Sequence, residues 1–158
     1  MRKEMGCRLA RVSAVGSVFL GSTGEEGGMN LVRQPEGSSL CGQACVAMVA
    51  GVTLDESVSA VGHKHGTYTR EIVKALRALG VPCPDRLRRV SRVRPVLPQR
   101  AIVAVVKWAT RPDGKRKQRR AHWMVAWDGV IYDPEDSWPA LYERNGWTIT
   151  SYLELPLA

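Results

Sequence analysis

The sequence predicts an α+β domain in which N-terminal helices pack on a C-terminal antiparallel sheet. The chain of 158 residues is long enough for one hydrophobic core without metal or disulfide cross-links. Segments with helical periodicity and capping residues come first, and segments rich in β-branched and aromatic residues follow. Helices that precede the strands, rather than alternate with them, are typical of an α+β domain.

Composition divides the chain into an extension and one domain. Hydrophobic residues make up 44% and charged residues 24% of the chain, as in ordinary globular proteins, so we expect residues 31–158 to form a single domain. In residues 1–30 a weak apolar patch is interrupted by Gly16, Ser17 and Gly21, which predicts a disordered extension rather than a secretory signal. Met29 is then a candidate functional start. No stretch approaches the ~20 apolar residues of a membrane span.

The first predicted helix runs from about Cys41 to Ala50. Ser38 or Ser39 is the expected capping residue, and Gly51 the expected stop. The segment is apolar on most sides, which indicates a buried helix whose first residue reaches the surface.

Two further helices are predicted. The stretch "TLDE" (Thr53–Glu56) has the capping-box pattern and begins a short helix that ends near Val61. The stretch "TREIVKALRALG" predicts a third helix with Thr69 as cap and Gly80 as stop. Its apolar face consists of Ile72, Leu76 and Leu79.

The C-terminal half predicts strands. "AIVAVVKW" (Ala101–Trp108) is typical of a buried strand, and "WTITSYLEL" of a last strand or sheet edge. Between them, Asp128-Gly129 is a strong signal for a two-residue hairpin turn. With that turn the facing pairs are Trp127 with Val130, Val125 with Tyr132, Met124 with Asp133 and His122 with Glu135.

The pairing places His122 and Asp133 diagonally on one face of the hairpin. Diagonal neighbours lie about 7–8 Å apart, close enough for a carboxylate to hydrogen-bond an imidazole. Such a bond fixes the tautomer of a catalytic histidine and stabilises its protonated form. A slip of one residue in the register would separate the two side chains, and the hairpin would then have only a polar rim.

The cysteines indicate free thiols. Cys7, Cys41, Cys45 and Cys83 match no common zinc spacing. Cys41 and Cys45 are one helical turn apart, where a disulfide is geometrically awkward. We therefore expect a reducing, cytoplasmic location, although secretion as an effector is also compatible with the sequence.

The chain carries a formal net charge of +8, and two basic clusters hold eleven of its 23 Lys and Arg residues. They span Arg86–Arg94 and Arg111–Arg120. Such clusters attract nucleic acid, anionic surfaces or acidic proteins. No aromatic residues alternate with the charges, which favours a solvated surface, and the second cluster is expected to be a loop leading into the His122 strand.

Cys41 is the candidate nucleophile, because the free amides and dipole of a helix N-terminus stabilise a thiolate. Cys45, one turn deeper, is expected to be a small buried hydrophobe. A thiol nucleophile needs a base. His63 and His65 lie in a glycine-bounded loop and are expected to face solvent, which leaves His122.

Gln34 lies shortly before Cys41 in "QPEGSSLCGQACVAMVAG". Its amide can join the Cys41 backbone N–H in binding an oxyanion. The order Gln34, Cys41, His122, Asp133 is more specific than any member alone, and its chemistry needs no metal ion or organic cofactor.

The segments "Q…CGQACVAM", "GTYTREIVKALRALGV" and "HWMVAWDGVIYDP" resemble the papain-like cysteine peptidases of the bacteriocin-leader, or double-glycine, type and their standalone relatives. The resemblance covers about 31–138. It implies a papain-like fold and a thiol hydrolase that cleaves a peptide or isopeptide bond. In this chain Gln34 would bind the oxyanion, Cys41 would be the nucleophile, His122 the base and Asp133 the third member of the triad.

Departures from that family leave the substrate open. Leu40 stands where the family has Asp, the Gln-to-Cys gap is one residue longer, and the His-to-Asp hairpin is shorter. Gly27-Gly28 suggests self-cleavage before Met29, but polar residues precede the two glycines where substrates of that family carry hydrophobic ones. We therefore expect no self-processing.

The alternative to a peptidase is a papain-like binding module with a degenerate site. It would dock an acidic protein or nucleic acid through the clusters Arg86–Arg94 and Arg111–Arg120.

Overall fold

The computed structural model describes residues 28–91, 93, 96–110, 113–114, 117–135, 140–141 and 148–157. The expected N-terminal extension, residues 1–30, therefore lies almost wholly outside the described residues. The helices are α1 (Cys41–Ala50), α2 (Leu54–Val61) and α3 (Thr69–Ala78). The strands are β1 (Arg88–Arg89), β2 (Arg100–Thr110), β3 (Lys117–Trp127), β4 (Val130–Tyr132), β5 (Ala140–Leu141) and β6 (Thr148–Glu154). The predicted α+β class, with helices before strands, is confirmed.

The described strands form one antiparallel sheet in the order β1-β6-β2-β3-β4-β5. Strand β6 is the last described strand of the chain, as predicted, but it does not form the sheet edge, because it lies between β2 and the two-residue strand β1. A two-residue strand leaves no periodicity in the sequence, so the inner position of β6 could not be predicted. The pairing of β2 with β6 shifts register between Ala104 and Val105.

The helices pack on one face of the sheet, and α1 contacts β3 directly. The main core joins residues of α1 and α3 to alternate residues of the strands, namely Cys45, Val46, Ile72, Leu76, Ile102, Val125 and Leu153. The strand residues that alternate with these form a second buried cluster, which consists of Ala101, Val103, Val105, Met124 and Ala126. Burial of both faces explains why "AIVAVV" is apolar throughout. Met29 already packs against the main core.

The helix ends follow the predicted signals in part. Thr53 and Glu56 form the predicted capping box, with the Thr53 N–H donating to Glu56 Oε2 at 2.8 Å. Gly51 ends α1 in the left-handed conformation with φ 68°. The prediction of Ser38 or Ser39 as the α1 cap is wrong, because Leu40 holds that position and no side chain caps the helix.

Helix α3 is capped one residue earlier than predicted, at Tyr68 instead of Thr69. The physical reason is the carboxylate of Glu71, which accepts a hydrogen bond from the Tyr68 N–H at 2.7 Å.

The β3–β4 hairpin has the predicted register. Asp128 and Gly129 both have positive φ, 51° and 84°, as a type I′ turn requires. Trp127 faces Val130, and Val125 faces Tyr132.

The second basic cluster is not wholly a loop. Its last four residues, Lys117–Arg120, belong to β3 and pair with β2, where Lys117 faces Thr110. The β2–β3 hairpin is thus longer than predicted, because strand pairing extends the ordered backbone into the charged segment. In the first cluster, Arg88 and Arg89 form β1 and are exposed.

Within the described chain, no single helix is long and apolar enough to cross a membrane. Helices α1 and α2 reach the required length only as a pair, and that pair is bent by 112°.

Candidate active site

Cys41 is the first residue of α1 and is partly exposed. The first amides of a helix have no acceptor within the helix, and here no side chain caps them. These N–H groups and the positive end of the helix dipole favour a negative charge at Cys41. Leu40 precedes it as a buried residue, so the thiol is placed where the buried helix meets the surface.

His122 and Asp133 form a buried hydrogen-bonded pair. His122 Nε2 lies 2.7 Å from Asp133 Oδ1, and the two residues are only 3% and 8% exposed. Oδ1 also accepts the backbone N–H of Glu135 at 2.9 Å, which holds the carboxylate in its orientation. The contact predicted from the hairpin register is confirmed.

The His122 ring also hydrogen-bonds the Cys41 thiol. Because Nε2 is taken by Asp133, Nδ1 is the ring nitrogen left for the sulfur. Burial lowers the pKa of His122, but the hydrogen bonds and charges of Asp133 and Cys41 outweigh it and raise the pKa from 6.5 to about 9. The ring is therefore held in its protonated form at neutral pH.

The other described cysteines are poor nucleophiles. Cys45 is fully buried, and burial, with the charges of Cys41 and Asp133, raises its pKa well above the ordinary value. Burial also raises the pKa of Cys83, although the charge and hydrogen bond of Arg77 oppose it. Cys41, Cys45 and Cys83 are all free thiols, as predicted.

Gln34 is joined to the same region through its backbone. Its N–H donates to the carbonyl of Pro134 at 2.9 Å, next to Asp133 in sequence. Its side-chain Nε2 donates to the Ser38 carbonyl at 2.8 Å, which uses one of its two N–H donors. The oxyanion role predicted for Gln34 would use the second N–H.

A polar pocket of about 590 Å³ adjoins Gln34. It is formed by residues 33–39, which lead to Leu40 and Cys41, and by Arg120 and Glu135 of the hairpin. Arg120 and Glu135 form an ion pair in its wall. The pocket therefore lies beside the loop that would hold the oxyanion.

Sequence reasoning missed the buried polar groups behind Cys41. Gln43 is fully buried and hydrogen-bonds the carbonyls of His63 and His65. The expectation that both histidines face solvent is wrong for His63, whose ring is partly buried and bonded to Glu71 at 3.0 Å. The sequence signal that could have revealed them is Gln43 in "CGQ", because a Gln buried in an apolar helix needs hydrogen-bond partners.

Position 42 requires glycine for a steric reason. A Cβ atom at this position would overlap the Thr67 hydroxyl, so only glycine lets the loop lie against the first turn of α1.

Within the part of the chain that the structure describes, no group of three or more His, Cys, Asp or Glu side chains is placed to bind a metal ion. No protein-family model matches the chain, and no curated protein matches it.

Proposed function

We propose that this protein is a papain-like cysteine peptidase that hydrolyses a peptide or isopeptide bond. The observation that carries the proposal is the hydrogen-bonded chain Cys41–His122–Asp133, in which the imidazole has a pKa of about 9. A thiol at a helix N-terminus beside an imidazolium is the arrangement that activates a sulfur nucleophile.

The reaction begins from the ion pair in which His122 already holds the proton and Cys41 is the thiolate. The thiolate forms a bond to the substrate carbonyl carbon, and the carbonyl oxygen takes the electron pair. The Cys41 N–H and the second N–H of Gln34 bind that oxyanion. As the carbon–nitrogen bond breaks, the imidazolium gives its proton to the leaving amine.

Hydrolysis of the thioester completes the cycle. His122, now neutral, takes a proton from water while the water oxygen bonds to the acyl carbon. Collapse of this intermediate releases the carboxylic acid and the Cys41 thiolate, while the proton stays on His122 and the starting ion pair is restored. Asp133 holds the ring in one tautomer through both stages and stabilises its charged form.

The polar pocket beside Gln34 is a candidate subsite for a substrate side chain. Arg33, Arg120, Glu36 and Glu135 all line it, so both charge signs are present. This composition favours a polar residue over an apolar one.

The test is cleavage of a diverse peptide mixture, with products identified by mass spectrometry. The expected result is a consistent cleavage pattern with the wild type and with Cys83→Ala, and no cleavage with Cys41→Ala. Cleavage by Cys41→Ala at the wild-type rate would end the peptidase proposal. If none of the three proteins cleaves any peptide but the wild type binds an acidic protein or nucleic acid, the binding module is supported instead.

A further inference from the structure

The loop of residues 63–67 is attached to the helix that carries the candidate nucleophile. Gln43, two residues after Cys41, donates from Nε2 to the carbonyls of His63 at 3.1 Å and His65 at 2.8 Å. The amide is fully buried, so these bonds lie out of competition with water. Thr67 lies against the first turn of the same helix at Gly42.

The same loop is attached to the strand that carries the candidate base. Trp123, the residue after His122, donates from its indole Nε1 to the Thr67 carbonyl at 3.2 Å. Trp123 is partly buried against the main core, which limits movement of the indole. The loop therefore contacts both elements within two residues of the reacting groups.

The far side of the loop is also fixed. His63 Nε2 lies 3.0 Å from Glu71 Oε1 on α3, and Glu71 in turn accepts the Tyr68 N–H. Gln43 is also held from α2, where the hydroxyl of Ser57 donates to the Gln43 carbonyl at 2.6 Å. The loop is thus held by three elements and acts as a rigid spacer between two of them.

We propose that this loop sets the separation between the Cys41 thiol and the His122 ring, with Gln43 and Trp123 as positioning residues. The proposal rests on the proposed function. Neither residue touches the substrate. They act by holding α1 and β3 at one distance, and a displacement of about 1 Å between reacting groups can lower a rate about 100-fold.

Two substitutions remove the attachments. Gln43→Met keeps an unbranched side chain of similar length but loses both donated hydrogen bonds. Trp123→Phe keeps an aromatic ring but loses the indole N–H. The matched control is Thr53→Ala, which removes the capping box at the start of α2, where Thr53 and Glu56 are exposed and bond to each other.

The readout is the rate constant for alkylation of Cys41 by iodoacetamide. The reaction is run at several pH values from 5 to 9, and the labelled peptide is quantified by mass spectrometry. All variants are compared at a temperature at which circular dichroism shows each to be folded. Gln43→Met and Trp123→Phe should lower the Cys41 rate at pH 7 by about 10- to 100-fold. They should also change the pH dependence of that rate, because the His122 ring then no longer lies at hydrogen-bond distance from the sulfur. Thr53→Ala should leave the rate and the profile unchanged.

Wild-type rates and profiles in both positioning variants would overturn the proposal, as would an equal loss in Thr53→Ala. If Gln43→Met does not fold, Trp123→Phe decides alone, because its aromatic packing is kept. Failure of the proposed function has a different signature, since Cys41 of the wild type would then be alkylated no faster than Cys83.

Discussion

Replacing Asp133 by Asn removes the charge that faces His122 and leaves the side-chain shape nearly unchanged. The Glu135 N–H donates to Oδ1 at 2.9 Å, so the amide oxygen, rather than its NH₂ group, should remain toward His122. The hydrogen bond to Nε2, 2.7 Å in the wild type, therefore keeps its geometry. Burial, which lowers the pKa of His122, also persists.

The contribution of the Asp133 charge to the pKa of His122 depends on the distance between the two charges. At about 4 Å and an effective dielectric constant near 20, one charge pair contributes about 4 kcal/mol. A pKa of about 9 instead of 6.5 corresponds to about 3 kcal/mol in favour of the imidazolium. Loss of the Asp133 charge should therefore lower the pKa of His122 from about 9, while the hydrogen bond and charge of Cys41 continue to raise it.

The assay is an NMR titration of the His122 ring Cε1–H, assigned by its absence in His122→Gln. A second readout is the alkaline limb of kcat/KM, because the imidazolium must protonate the leaving amine. As the pKa falls in Asp133→Asn, this limb should move to lower pH, and the maximal rate should fall by about 10²- to 10⁴-fold. A His122 pKa near 9 in both proteins, or near 6.5 in the wild type, would contradict the effect assigned to the Asp133 charge.

Three further predictions concern single side chains. Gln34→Ala should lower kcat by about 10²- to 10³-fold and leave Cys41 alkylation unchanged, because alkylation develops no oxyanion, so a parallel loss of both would contradict its role. Cys45→Ala should lower the free energy of unfolding by about 1–3 kcal/mol in a denaturant titration and retain activity, since Cys45 is a fully buried core residue. Arg120→Gln, which breaks the ion pair with Glu135 in the pocket wall, should raise KM and leave kcat nearly constant, and an unchanged KM would exclude the pocket as a subsite.

The contact between His122 and Asp133 in the β3–β4 hairpin could be predicted from the sequence. Asp128-Gly129 determines the turn type, the turn determines the register, and the register places His122 beside Asp133. Each step is local, so no knowledge of the remaining chain is needed. The buried faces of α3 and β2 could be predicted for the same reason, because periodicity reports burial directly.

The groups that the sequence did not reveal depend on distant contacts. Packing of the 63–67 loop on α1 brings Gln43 to the His63 carbonyl and Thr67 to Gly42, and no local pattern reports those contacts. The cap at Leu40 was missed because Ser38 is drawn into a turn, where its N–H donates to the Pro35 carbonyl. The inner position of β6 depends on β1, which has only two residues.

The most direct test of the central claim is the relative rate at which iodoacetamide labels the cysteines of the wild type and of His122→Ala. The His122 ring is hydrogen-bonded to Cys41, whereas burial raises the pKa of Cys83. At pH 6–7 the wild type should label Cys41 at least about tenfold faster than Cys83, and His122→Ala should lose that advantage. Equal labelling of Cys41 and Cys83 in the wild type, or selectivity that survives in His122→Ala, would contradict the account.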